Sequence, residues 1–147
     1  MTFTNDELRI LNVAYETFVI KEYALRLFTE KNPVAGYESW VTNELQVAFW
    51  VRGIEAHKKQ KPDMLIDGLE VEIKVYANPA SAILFINDFE EHPDCDIHLC
   101  VTAFNEDSRE RLTECFRAIG IESKERVLGN SGWIVIIAKP IEGNKPR

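Results

Sequence analysis

From Thr4 onward, apolar residues recur at helical spacing, with Leu8, Leu11, Tyr15 and Phe18 marking one face. Thr4-Asn5-Asp6-Glu7 has the form of a capping box, so one long helix is expected to begin there and end before Asn32-Pro33. A turn through Gly36 leads to a second helix, about Tyr37 to Arg52, stopped by Gly53. From Ile54 the period shifts toward two. Ile54 to Lys58, Pro62 to Ile66 and Leu69 to Tyr76 read as an antiparallel meander, with Asp67-Gly68 as a two-residue hairpin turn. Asn78-Pro79 caps a helix that runs to about Glu91, and Asp96 to Phe104 follows as a strand, whose crossover predicts a parallel neighbour. A helix from about Ser108 to Ile119 comes next. Val127-Leu128 and Trp133 to Lys139 then flank Gly129-Asn130-Ser131-Gly132 as a final hairpin, whose Trp133 to Ile137 run is apolar enough for burial on both faces. Gly143 to Arg147 are expected to fray.

The hairpin has a chemical consequence. With Asp67 and Gly68 as the turn, Ile66 faces Leu69, Leu65 faces Glu70, Met64 faces Val71, and Asp63 faces Glu72 in a non-hydrogen-bonded pair with Cβ atoms about 5 Å apart. Alternation sends Met64, Ile66, Val71, Ile73 and Val75 to an apolar face, and Asp63, Glu70, Glu72 and Lys74 to an ionised one. Two carboxylates placed opposite each other repel, so a cation belongs there or one acid holds its proton. Lys74 is one candidate and a divalent ion a stronger one. On the second helix, Val51, Tyr37, Trp40, Ala48, Val41 and Val47 all fall within about 60° of Glu44, which centres that carboxylate on the apolar face and leaves Glu38 off it. Glu44 is therefore expected to meet the carboxylate pair, or else a structural Lys or Arg. Mg²⁺ suits such an oxygen-donor set, because it keeps several waters and needs only one or two carboxylates.

Composition changes this picture little. The 147 residues match one ordinary domain, and 46% hydrophobic and 28% charged residues are those of a folded globular chain. The start resembles no signal peptide and no stretch reaches membrane-spanning length, so a cytoplasmic protein without a membrane partner is expected. Cys95, Cys100 and Cys115 read as reduced thiols, and a strand through Cys95 and Cys100 turns them to opposite faces, against a shared metal. The net charge of -7 argues against broad attraction to nucleic acid. Arg52, His57, Lys58, Lys59 and Lys61 nevertheless form a local basic run that reads either as a nucleic-acid contact or as a solvated strand and turn.

Pro62-Asp63, eight further residues, then Glu72-Ile73-Lys74 resembles the name motif of the PD-(D/E)XK nuclease superfamily, which includes restriction endonucleases and Holliday-junction resolvases. The resemblance covers roughly residues 37 to 104. It implies an α/β fold with a restriction endonuclease-like core in the order α-β-β-β-α-β, a mixed sheet flanked by helices, here within one domain of residues 1–147 that adds an N-terminal helix and a C-terminal helix and hairpin. It implies Asp63 and Glu72 as metal ligands with the Ile73 carbonyl, Lys74 as the catalytic lysine, and Glu44 as the acid supplied by the first helix. Mg²⁺ or Mn²⁺ is the implied cofactor, and nucleic acid, DNA before RNA, the implied partner, with Arg52, Lys58, Lys59 and Lys61 to contact it. A homodimer is the simplest way to cut two strands. Two functions stay open: a Mg²⁺-dependent nuclease, most simply a DNA endonuclease, and a catalytically inactive protein of the same fold that serves as a nucleic-acid-binding or assembly subunit.

Overall fold

The computed structural model describes residues 2–30, 37–60 and 62–141. Lys61, the Asn32-Pro33 stop, the turn through Gly36 and the tail from Gly143 lie outside the described residues. Helices α1 (Asn5–Val19), α2 (Glu22–Glu30) and α3 (Tyr37–Trp50) precede strands β1 (Ala56–Lys58), β2 (Met64–Ile66) and β3 (Leu69–Tyr76). A 3-10 helix (Pro79–Asn87) runs into the short α4 (Asp88–Glu91), followed by β4 (Ile97–Ala103), α5 (Glu106–Ala118), β5 (Ile121–Val127) and β6 (Trp133–Pro140). No helix among the described residues is long and apolar enough to cross a membrane.

The capping box forms as expected, with Glu7 N donating to Thr4 Oγ1 at 3.2 Å and Thr4 N donating to Glu7 Oε1 at 2.8 Å. The expected single long helix is instead two, α1 and α2, separated at Ile20 and Lys21. After Phe18 the apolar period lapses: Lys21 and Glu22 occupy the next inward positions, and burial resumes only at Leu25. The Asp67-Gly68 turn has positive φ at both residues, 49° and 83°, as a type I′ hairpin requires. Its register is the one expected, Ile66 opposite Leu69, Leu65 opposite Glu70 and Met64 opposite Val71. Asn78 caps the next helix by accepting from Ala80 N at 3.0 Å. That helix is mostly 3-10 rather than α, turning to α geometry only at Asp88. The helix expected from Ser108 starts two residues earlier, at Glu106, because Asn105 takes the cap and accepts from Ser108 N at 2.8 Å.

The six strands make one mixed sheet in the order β1-β2-β3-β4-β6-β5, with helices on both faces. Strand β4 lies parallel to β3, as the crossover predicts, and antiparallel to β6, so the final hairpin extends the sheet through its second strand. One face packs Met64, Ile66, Val71, Ile73, Leu99, Val101, Val135 and Ile137 against Ile10, Phe18, Val41, Leu45 and Phe49 of α1 and α3. The opposite face carries a second apolar cluster, in which Cys100, Ile134 and Ile136 meet Phe85, Phe89, Leu112 and Phe116 from the 3-10 helix, α4 and α5. Trp133 to Ala138 are buried throughout, as expected for a strand covered on both sides. The face of β3 expected to be ionised is roofed by helices, and Glu72, on that face, is only 4% exposed.

Candidate metal centre

Beyond Met64 the β2–β3 pairing continues through side chains. Asp63 Oδ2 accepts from Ile73 N at 2.8 Å, and Asp63 lies close enough to Glu72 to raise its carboxyl, so the two acids come together as the hairpin arithmetic predicts. The N–H and C=O of one residue in an extended strand face the same edge, so the Ile73 carbonyl also faces the Asp63 side. Burial pushes the Glu72 carboxyl up to about 8, with Asp63 and Asp88 adding to the rise and Lys74 opposing it. Lys74 stands two residues on along the same face. Desolvation pulls its ammonium down, but Glu38, Asp88, Glu72 and Glu91 outweigh it and hold the pKa above the ordinary lysine value. Lys74 is therefore a fixed cation at neutral pH.

Glu44 does not join this group. It forms an ion pair with Lys21 at the α1–α2 break, the structural partner that was the other expectation for it. The helix acid that stands among these charges is Glu38, in the first turn of α3. The side chain is exposed at the cleft, yet partial desolvation raises its carboxyl above the ordinary range, Lys74 counters, Asp63 and Asp88 raise it further, and the Val75 backbone lowers it. The reason lies in the wheel. The buried stripe of α3 contains Val41, Thr42 and Leu45, three, four and seven positions beyond Glu38, whereas Val47, Trp50 and Val51 are exposed by 53%, 52% and 74%. Those surface apolar residues drew the apparent centre of the apolar face toward Glu44.

Two further residues, missed in the sequence, complete the cluster. Asp88 and His92 come from α4 and its C-cap, and with Glu72 they offer ligand atoms that all lie within 4.8 Å of one another. A spacing of four on a helix puts both on one side, a signal present in the sequence although His92 lies just past the expected helix end at Glu91. Asp88 is 1% exposed, and His98 Nδ1 on β4 lies 2.5 Å from its Oδ2. His98 sits beside Glu72 because β3 and β4 are parallel with Glu72 opposite His98.

The basic run divides. Lys58 and Lys59 line a cleft of about 230 Å³ with Glu38, Ser39, Thr42 and Asp63. Lys58 Nζ donates to Asn43 Oδ1 at 2.6 Å, and Lys59 Nζ lies 3.9 Å from Glu70. Arg52 points elsewhere, donating to Glu16 and to the Ala48 carbonyl, both at 2.7 Å. All three cysteines are free thiols, and Cys95 and Cys100 are buried apart, Cys100 within the second apolar cluster.

These features define a mixed α/β protein with a buried cluster of acids, imidazoles and one lysine beside an open cleft. Comparison with protein-family profiles, with curated proteins and with solved structures finds no match for the chain.

Proposed function

We propose that this protein is a Mg²⁺-dependent nuclease that hydrolyses phosphodiester bonds, most simply in DNA, with Asp63, Glu72, Lys74 and Glu38 as its working residues. The observation that carries this reading is the meeting of Asp63 and a buried, proton-retaining Glu72 at the end of a basic-rimmed cleft, with Lys74 on the same strand face. The reading is also supported by the spacing of Asp63, Glu72 and Lys74, which resembles the PD-(D/E)XK motif.

Asp63, Glu72 and the Ile73 carbonyl would hold the ion, an all-oxygen set suited to Mg²⁺. Bound there, a divalent cation polarises a phosphoryl oxygen and lowers the pKa of a coordinated water. Lys58 and Lys59, along the cleft wall, would contact backbone phosphates of the substrate. Lys74 stays charged, so its part is to orient the attacking water through an N–H and to stabilise negative charge as it develops, not to remove a proton. Glu38 adds negative charge near Lys74 and helps keep it protonated.

Cleavage of single-stranded, duplex and branched DNA and of RNA, assayed with Mg²⁺ and with Mn²⁺, tests this. Loss of activity in Glu72→Ala and Lys74→Ala is expected. Unchanged activity in either variant, or no cleavage of any of these substrates by the wild-type protein, overturns it, the latter in favour of a binding or assembly subunit.

A further inference from the structure

The side of Glu72 away from the cleft has its own chemistry. Glu72 Oε2 and Asp88 Oδ1 are buried and form no hydrogen bond among the described residues. At ion-pair distance, His92 Nε2 lies 2.8 Å from that Glu72 oxygen, and Lys74 Nζ lies 3.9 Å from the Asp88 oxygen. Burying a carboxylate oxygen without a hydrogen bond is costly, and here two acids with such oxygens, from different elements, offer ligand atoms that lie with one imidazole nitrogen within 4.8 Å of one another.

The other oxygen of Asp88 is engaged by His98 Nδ1, and the Phe89 ring packs against His98 in a tilted arrangement, 4.2 Å between centroids. Phe89 is in turn wedged against Phe85 and Phe116. Asp88 is thus oriented by a neighbour that is itself locked by packing, the arrangement that fixes a metal-binding carboxylate.

We propose that Glu72, Asp88 and His92 form a mixed nitrogen and oxygen site for a first-row transition cation of the Mn²⁺ or Zn²⁺ type, distinct in ligand set from the all-oxygen position at Asp63 and Ile73. Imidazole nitrogen favours these ions over Mg²⁺, which takes oxygen and gives up its water reluctantly. The site shares Glu72 with the proposed hydrolytic centre. The inference concerns ion binding and does not depend on the hydrolysis being correct.

The test is pulsed electron paramagnetic resonance of Mn²⁺ bound to the purified full chain, supported by calorimetric titration with Mn²⁺ and with Mg²⁺. Wild-type protein should show imidazole nitrogen coupling to Mn²⁺ and bind it at least about tenfold more tightly than Mg²⁺. His92→Gln should lose the coupling and most of the preference, and His57→Ala, on the outer strand, should keep both. Asp88→Asn, nearly isosteric, should weaken Mn²⁺ about tenfold or more while leaving the circular dichroism spectrum unchanged. Absence of nitrogen coupling in the wild type, or coupling that persists in His92→Gln, overturns the site. Mg²⁺-dependent cleavage retained without any coupling overturns this site alone, whereas coupling in a protein that cleaves nothing supports the site and removes only the nuclease.

Discussion

Replacing Glu72 by glutamine should flatten the pH dependence of stability in the metal-free protein. The folded Glu72 carboxyl titrates at about 8 against an ordinary value of 4.5, chiefly because it is buried and secondarily because of Asp63 and Asp88. Between those values the folded chain keeps a proton that the unfolded chain has lost, so stability is fully present below about pH 4.5 and falls as pH rises through 8. At about 1.4 kcal/mol per pH unit the whole interval corresponds to about 5 kcal/mol, and because Asp63 shares the proton the expected loss is about 2 to 4 kcal/mol. For a chain of this size that is roughly 5 to 15 °C in Tm between pH 5 and 9. The glutamine side chain holds the same shape and never ionises, so the Tm of Glu72→Gln should vary less across this range and lie higher than that of the wild type at pH 8 to 9. Mg²⁺ at about a hundred times its Kd should return about 2.7 kcal/mol to the wild type and nothing to Glu72→Gln. Calorimetric melts in chelator and in Mg²⁺, at each pH, measure both effects. Parallel curves for the wild type and Glu72→Gln, with or without the ion, would refute the assignment of a buried, proton-retaining acid at this position.

The two glutamates of α3 should separate cleanly. Glu38→Gln is expected to reduce cleavage about 10- to 100-fold by removing negative charge near Lys74, whereas Glu44→Gln should leave cleavage unchanged and cost less than about 1 kcal/mol, the worth of a half-exposed ion pair such as that with Lys21. Gly68→Ala should lose about 1 kcal/mol by chemical denaturation, since at φ +83° an added Cβ meets nothing within 4 Å and only backbone strain is at stake. Burial pushes the Cys95 thiol up to about 12 and the fully buried Cys100 well above its ordinary value, so only Cys115 should react with iodoacetamide in native protein at pH 8, as read by mass spectrometry; labelling of all three would contradict the packing.

The local rules were legible in the chain. The capping box at Thr4 and Glu7, the stop at Gly53, the Asp67-Gly68 turn and its register, and the cap at Asn78 each depend on a few adjacent residues whose chemistry leaves one favourable arrangement. The meeting of Asp63 with Glu72 follows from that register, which is why it could be worked out before any packing was known. Tertiary structure decided what touches β3 from outside the hairpin. The apolar count on α3 could not distinguish Val47, Trp50 and Val51, which face solvent, from Val41 and Leu45, which face the sheet, and so it favoured Glu44 over Glu38. Nothing local placed α4 over β3, because Asp88 and His92 reach Glu72 only once β4 has returned parallel to β3 and the Phe85, Phe89 and Phe116 cluster has seated the helix. A short-range pattern fixes backbone hydrogen bonds and turn angles, whereas the partner of a buried charge depends on which long-range apolar contacts bury it.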